Sequence, residues 1–419
     1  MERYIERDLE IEIGKYLKSK EIIAVVGTRQ CGKTTMINKL LDKEEEKGRK
    51  IKRISFDNLK EKRLFENDIE SFIDLNVKNF DILFIDEVHY SKDSGKKLKY
   101  IYDNFKIKIF ISGSSTAEIS IHSLKYLVGR IFTFTLYPFS FKEFLKAKNP
   151  QLINIYDKGK YKKEIIETLN KYLKEFILYG GYPRAVLSEK TEEKVKVLEN
   201  IFNTYLLKEI KEILDLSSNN QLISLIKALS LQMGNIINYN ELSSLTGFSH
   251  RELKKYLNIL EETYICGLVR PFFTNKRTEL VKSPKVYFLD TGFRNISIDN
   301  FTSERADKGS LYENFIFSEL IKNNLTPKYW NSKSAAEVDF IIEKQNKPIP
   351  IEIKSLVREE KITKSFDSFI TKYKPKTAYF LSHDFESSKT YNNCKVNFLP
   401  FVKFIIHFHS SKYPQLTKE

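Results

Sequence analysis

The chain has 419 residues, enough for two to four domains of ~150 residues, each with a sizeable core. Lys and Arg total 70 against 55 Asp and Glu, a formal net charge of +15, while 41% of residues are apolar and 13% aromatic. That mixture excludes a disordered chain, which needs low hydrophobicity with high net charge, and it excludes collagen-like and low-complexity chains.

Taken in chain order, residues 1–20 alternate charged and apolar types without the unbroken apolar block of a signal peptide. The longest apolar runs that follow are strand-sized, so a soluble, cytoplasmic protein with no membrane span is expected. Ile22 to Val26, Ile51 to Phe56, Asp81 to Asp86 and Lys108 to Ser112 read as buried strands, with helical segments between them. This alternation predicts βαβ units and a mostly parallel sheet.

Directly after the first strand, Gly27-Thr28-Arg29-Gln30-Cys31-Gly32-Lys33-Thr34 fits the pattern GxxxxGKS/T, and a helix is predicted from about Lys33. Glycines let the backbone wrap an anion, and successive N–H groups at the helix start face phosphates. Lys33 is expected to reach the β and γ oxygens of ATP and Thr34 to ligate Mg2+, with Thr35 completing the binding stretch. Downstream, the strand Ile82-Leu83-Phe84-Ile85 ends in Asp86 and Glu87. Asp86 would hold the Mg2+ shell and Glu87 would polarise the attacking water. The strand KIFIS ends in Ser112-Gly113-Ser114-Ser115, which offers hydroxyls near the γ-phosphate, Ser114 among them. Cys31 reads first as a small apolar filler, although a helix N-terminus can lower a thiol pKa. Cys31, Cys266 and Cys394 lack the spacing of a disulfide framework or a zinc site.

After Pro138 the pattern turns helical over Phe139 to Lys146, Tyr161 to Tyr179 and Lys194 to Leu214, as in a helical lid. From Asn235 to about Phe273, two short helices flank a Thr246-Gly247-Phe248-Ser249 turn, and a strand follows at Lys285 to Leu289, the layout of a winged helix-turn-helix. Leu242, Leu245, Leu253, Leu257 and Leu260 are expected to face inward, while His250, Arg251, Lys254 and Lys255 make a basic outer face suited to DNA phosphates. Glu252, Glu261 and Glu262 dilute that charge, and a protein-docking role for the same element stays open.

The last part reads αβββαβ: a helix at Gly309 to Lys322, strands at Lys328 to Trp330, Val338 to Glu343 and Ile349 to Lys354, a helix at Ile362 to Tyr373, and a strand at Thr377 to Ser382. Glu352 and Lys354 are two apart on a strand and so share a face. Together with Asp339 on a strand and Glu313 on the helix, they resemble the PD-(D/E)XK nuclease core. That resemblance implies that Asp339 and Glu352 bind Mg2+ or Mn2+, with Glu313 as an auxiliary ligand, and that Lys354 positions or activates water. Many proteins keep that fold without its catalysis.

Taken together, GTRQCGKTTMINKL, LFIDEVHY, FISGSS, Leu127-Val128-Gly129-Arg130 leading into LYPFSFKEFL, and YGGYPRAV resemble a prokaryotic family of AAA+/STAND-like, archaeal-ATPase-like P-loop ATPases. In that family the ATPase is followed by a winged helix and a C-terminal domain with a restriction-endonuclease-like core. The resemblance implies a γ-phosphate-sensing or finger role for Arg130, and a contact to the nucleotide base for Gly180-Gly181-Tyr182-Pro183. The expected fold is thus α/β. A P-loop NTPase core of AAA+ type spans 1–145, a helical lid 146–232, a winged helix 233–298, and a nuclease-like α/β domain 299–419. The expected partners are ATP and, through the remaining positive charge, DNA. The alternative is an ATP-driven switch acting on protein partners without cleavage. The sequence leaves the oligomeric state open, a homo-oligomer included.

Overall fold

Ile22–Gly27 (β1), Ile51–Ser55 (β2), Ile82–Asp86 (β3), Lys108–Ser112 (β4) and Ile131–Leu136 (β5) form a parallel sheet in the order β2-β3-β4-β1-β5. The computed structural model describes residues 3–113, 124–158, 161–214, 216, 219–332 and 336–409. They divide into two compact units, Met1–Phe139 with Glu262–Tyr264, and Ser140–Glu261 with Ile265–Glu419.

Parallel strands need crossover helices, and those helices bury both faces of this sheet. Because alternate residues of a strand point to opposite faces, β1 feeds two separate cores. Ile22 and Ala24 pack with Phe65 of α3 (Leu59–Asn67), Phe72 and Ile73 of α4 (Ile69–Asn76), and Leu98 and Ile101 of α5 (Ser94–Asn104). Ile23 and Val25 pack instead with Ile13 of α1 (Asp8–Gly14) and with Met36, Ile37, Leu40 and Leu41 of α2 (Lys33–Glu45). Each such buried Val, Leu, Ile, Met or Phe side chain stabilises the fold by roughly 1.5–3 kcal/mol.

The four strands expected from the sequence are present, and β5 is an addition. Its run IFTFTL interleaves Thr133 and Thr135 with apolar residues, and as an edge strand it is only half buried. That leaves it without the continuous apolar run that marks the inner strands. With β4 inserted between β1 and β3, the carboxyl ends of three strands meet at one edge of the sheet.

The second unit begins with helices. Ser140 and Glu143 cap Phe141–Lys148 reciprocally, and Pro150 opens the next helix, Pro150–Tyr156. Lys163–Tyr179 follows and ends at Gly180, whose φ of 71° lets the chain turn against Asp290. The helix expected to end at Leu214 contains a π-helical stretch at Phe202–Ile210.

Further on, Tyr239–Thr246 and His250–Glu262 are separated by a turn through Gly247, and Cys266–Val269 (β6) pairs antiparallel with Lys285–Phe288 (β7). Leu253, Leu257 and Leu260 are buried as expected, as is Leu242. Leu245 is not: it is 58% exposed. Thr246 takes the inward position of that last turn, its hydroxyl donating to Leu242 O at 2.7 Å.

The last region is a mixed sheet in the order β12-β13-β11-β10-β9-β8, made of Lys328–Asn331 (β8), Glu337–Lys344 (β9), Lys347–Ile353 (β10), Thr377–Ser382 (β11), Ser387–Tyr391 (β12) and Cys394–Pro400 (β13). Lys308–Lys322 precedes β8 and Lys364–Tyr373 lies between β10 and β11, which reproduces the expected αβββαβ order of elements. The β12–β13 hairpin and the helix Phe401–His409 extend it.

Candidate functional site

The loop after β1 is shaped by backbone that ordinary residues avoid. Gly27 has φ 141°, and a Cβ there would lie 2.0 Å from Leu136 O on β5. Gln30 at φ 60° and Gly32 at φ 93° complete the wrap, and Gly32 caps the 13-residue helix α2. Free N–H groups and the positive end of that helix therefore face the loop's concavity. Arg29, Gln30 and Thr35 are exposed around it, whereas Thr28 is buried. Cys31 is fully buried, its thiol 2.8 Å from Thr28 O and 3.2 Å from Leu136 O. It fills space and ties the loop down, in line with the filler reading.

Lys33 begins α2 and bends back over the loop, its Nζ donating to Gly27 O at 3.1 Å and Thr28 O at 2.9 Å. One residue on, Thr34 Oγ1 donates to Asp86, lying 2.9 Å from Oδ2 and 3.1 Å from Oδ1. The hydroxyl of Ser112, at the end of β4, donates to the same carboxylate. This meeting of Thr34, Asp86 and Ser112 follows from the strand order, since β4 stands between β3, which ends in Asp86, and β1, which leads through the loop to Thr34 on α2.

Glu87 follows in a left-handed conformation at φ 52°, which turns its side chain away from the strand direction. Burial raises its pKa, and the nearby Lys33 ammonium works against that shift. His89 Nδ1 lies 3.3 Å from Glu87 Oε2. Burial, reinforced by Lys33 and Arg29, pushes the His89 pKa down to about 4, so the imidazole is neutral at pH 7.

Two residues of this site are not singled out by the sequence. Ser112 was indistinguishable from the other hydroxyls of its run, and Ser114, singled out there, lies outside the described residues. Arg7 is buried and donates to Cys31 O at 2.9 Å and to Tyr137 O at 2.6 Å, with its guanidinium 4.8 Å from the centre of the Phe139 ring. It clamps the loop from behind, a role that residues 24 positions apart do not announce.

Arg130 requires a correction. It precedes β5, and its carbonyl accepts from Ile22 N at the start of β1, so it sits at the amino-terminal edge of the sheet. Five residues of strand, about 17 Å, separate that edge from the loop. Its guanidinium is paired with Asp103 at 2.9 and 3.3 Å. Within its own chain it therefore cannot touch a γ-phosphate at the loop.

In the second unit, Pro183 opens the short helix Pro183–Leu187, and the glycines before it are held by Asp290: Gly181 N donates to Asp290 Oδ2 at 2.7 Å. A Cβ on Gly180 would lie 2.1 Å from Asp290 Oδ1. This stretch has a packing role that explains Gly180.

The C-terminal acidic residues and Lys354 influence one another electrostatically. Burial pushes Glu313 and Glu352 up to about 8, with the Asp339 carboxylate adding to both. Burial raises Asp339 as well, against Lys354 and Lys285. Burial works against the Lys354 ammonium, but Glu352 and Asp339 outweigh it and raise its pKa. Each carboxylate has its own donor: Lys354 Nζ lies 2.9 Å from Glu352 Oε1, Ile353 N donates to Asp339 Oδ2 at 2.7 Å, and the Tyr287 hydroxyl donates to Glu313 Oε2 at 3.1 Å. Glu352 Oε2 is buried without a hydrogen-bond partner. With the side chains turned to separate donors, no three acidic, His or Cys residues among the described residues form a group that could hold a metal ion.

Residues 19–145 match the family model described as "AAA domain". The first unit carries a P-loop domain of AAA type. Residues 170–304 and 308–402 match two further models, each described as a domain of unknown function. An uncharacterized protein of Methanocaldococcus jannaschii is 27% identical over 360 residues, which is 83% of this chain and 77% of that one. One from Haemophilus influenzae is 23% identical over 365 residues, 84% of this chain and 86% of that one. Among solved structures, a Walker-type ATPase of Pyrococcus abyssi is similar over 70% of this chain and 96% of its own, at 13% identity and a TM-score of 0.45. Among the described residues no helix is long and apolar enough to cross a membrane.

Proposed function

We propose that the protein binds and hydrolyses ATP with Mg2+ at the loop after β1. The observation that carries this reading is the hydrogen-bonded group of Thr34, Asp86 and Ser112 beside the Lys33 ammonium. Its donor set suits a hard cation, namely a hydroxyl oxygen and a carboxylate at the mouth of a loop lined by N–H groups. Thr34 and Asp86 would hold Mg2+, and the ion would neutralise charge developing on the phosphates. Gly27 to Thr35 would cradle the phosphates, Lys33 would turn from the loop carbonyls to the β and γ oxygens, and Glu87 would orient and deprotonate the attacking water.

Glu87→Gln should bind ATP as the parent does while kcat falls by roughly 100-fold or more. Lys33→Ala should lose nucleotide binding. Isothermal titration and phosphate release distinguish the two, and undiminished hydrolysis in Glu87→Gln would remove the role given to that residue.

A second activity is favoured by one observation, the buried, unpartnered Glu352 Oε2 beside Asp339 and Lys354. In this reading residues 299–419 are a nuclease-like domain, in which a divalent cation draws Asp339, Glu352 and Glu313 out of their present hydrogen bonds. Residues 233–298 form a winged helix whose exposed His250, Arg251, Lys254 and Lys255 meet DNA phosphates, and residues 146–232 are a lid coupling both to the nucleotide. Nicking of plasmid DNA in Mg2+ or Mn2+, abolished in Asp339→Ala, is the expected result. If ATP is hydrolysed but DNA is neither cut nor stimulates turnover, the chain is an ATP-driven switch for protein partners.

A further inference from the structure

The amino-terminal edge of the parallel sheet, opposite the phosphate loop, holds an open cavity of about 720 Å3. Its lining includes Lys18, Lys20, Arg49, Lys106 and Lys108. Topology gathers them: Lys18 and Lys20 precede β1, Arg49 precedes β2, Lys106 precedes β4 and Lys108 opens it. Parallel strands all begin at one edge, so residues far apart in sequence become neighbours there.

Among the described lining residues the one acid is Asp103, and Arg130 engages it through two nitrogens. The cations are not equivalent. Lys108 is buried and its Nζ donates to the carbonyls of Tyr16, Ser19 and Glu21 at 2.9, 2.9 and 2.7 Å, which fixes the wall formed by residues 16–21. Lys20 lies 4.5 Å from the centre of the Tyr102 ring, and Arg49 is 3.3 Å from Glu44. Lys18 and Lys106 are exposed and, among the described residues, make no ion pair. Leu17, Phe105 and Ile107 supply apolar surface beside them.

Cations gathered around a concavity repel one another, and the low-dielectric walls focus their field on an anion. The volume falls within the ~300–1,000 Å3 of small-ligand sites, and an apolar floor under a charged rim suits a ring attached to a phosphate. We propose that this cavity is a second anion site of the first unit, which takes a phosphate ester of nucleotide size, either as a free nucleotide or as one unit of a single strand. Lys18 and Lys106 hold the phosphate, and the site is separate from the loop where ATP is proposed to be hydrolysed.

The test uses the full chain, a fluorescent oligothymidylate followed by anisotropy, and unlabelled thymidine bisphosphate followed by calorimetry. Binding should weaken about tenfold or more in Lys18→Glu/Lys106→Glu, and for the oligonucleotide the slope of log K against log salt should fall by about 0.7, for the one phosphate that the two lysines hold. Lys33→Ala should leave this binding unchanged, which separates it from the loop. Binding of the oligonucleotide alone assigns the single strand as the source, and binding of the bisphosphate alone assigns the free nucleotide. Lys18→Gln/Lys106→Gln serves where charge reversal impairs folding. Absence of binding by both probes, or binding indifferent to both double variants, overturns the proposal.

Discussion

Asp86 illustrates what a single residue's surroundings add to a motif. The acidic pair after an apolar strand was legible in sequence, and so were Lys33 and Thr34, because the loop pattern fixes both their types and their spacing. What was not legible is that Asp86 also accepts from Ser112, since nothing in a run of hydroxyls tells which one the sheet aims at the carboxylate. Ser112 donates to Asp86, and it is through that carboxylate that it acts, so it is a positioning residue. Ser112→Ala should lower kcat by roughly tenfold, about 1.4 kcal/mol, while leaving the Kd for ATP within about threefold. Comparing single-turnover rates with nucleotide titration checks this split, and a variant with unchanged kcat would make the contact incidental. Arg7 and Arg130 mark the limit of sequence reading from two directions. The first is buried behind the loop though no motif contains it, and the second belongs to a quoted motif yet sits at the far edge of the sheet.

The inner strands are the most legible elements. β1, β3 and β4 are largely apolar runs covered on both faces, and the bounds read from sequence match them almost to the residue. β5 alternates Thr133 and Thr135 with apolar residues, and that alternation hides it, whereas β2, the other edge strand and no more buried, is legible. Yet β5 is what makes the first loop glycine indispensable. Gly27→Ala would drive a Cβ to 2.0 Å from Leu136 O while holding φ at 141°, whereas Gly32→Ala meets the strain of φ 93° with nothing within 4 Å. Backbone strain alone costs about 1–3 kcal/mol. Gly32→Ala should therefore lose stability within that range and remain soluble, and Gly27→Ala should lose clearly more or fail to accumulate as folded protein. Urea unfolding of the two variants tests the order, and equal losses would mean that the β1–β5 pairing yields readily at the loop.

At the scale of the whole molecule, titration gives the second unit a pH dependence of its own. The unfolded chain protonates glutamate near its ordinary value, whereas the folded unit holds Glu313 and Glu352 up to about 8, chiefly through burial. Between those values the folded form binds more protons than the unfolded form, so stability falls as pH rises. The contribution is complete below the ordinary glutamate range and is lost as pH climbs through about 8. Asp339 and Asp290, both raised by burial, act in the same direction. Glu352→Gln removes one of the titrating groups while keeping its shape, so the thermal transition of this unit should fall less steeply between pH 5 and about 8 than in the parent. A divalent cation separates the two roles proposed for the domain. If the carboxylates can converge on a metal, Mg2+ or Mn2+ should raise the parent's transition most at the alkaline end, where the groups are ionised, and have little effect on Asp339→Ala. If the domain is a binding platform without a metal, both proteins keep the same pH slope with and without the cation. A slope that is unchanged in Glu352→Gln would show that the buried carboxylates are not what destabilises the unit at alkaline pH.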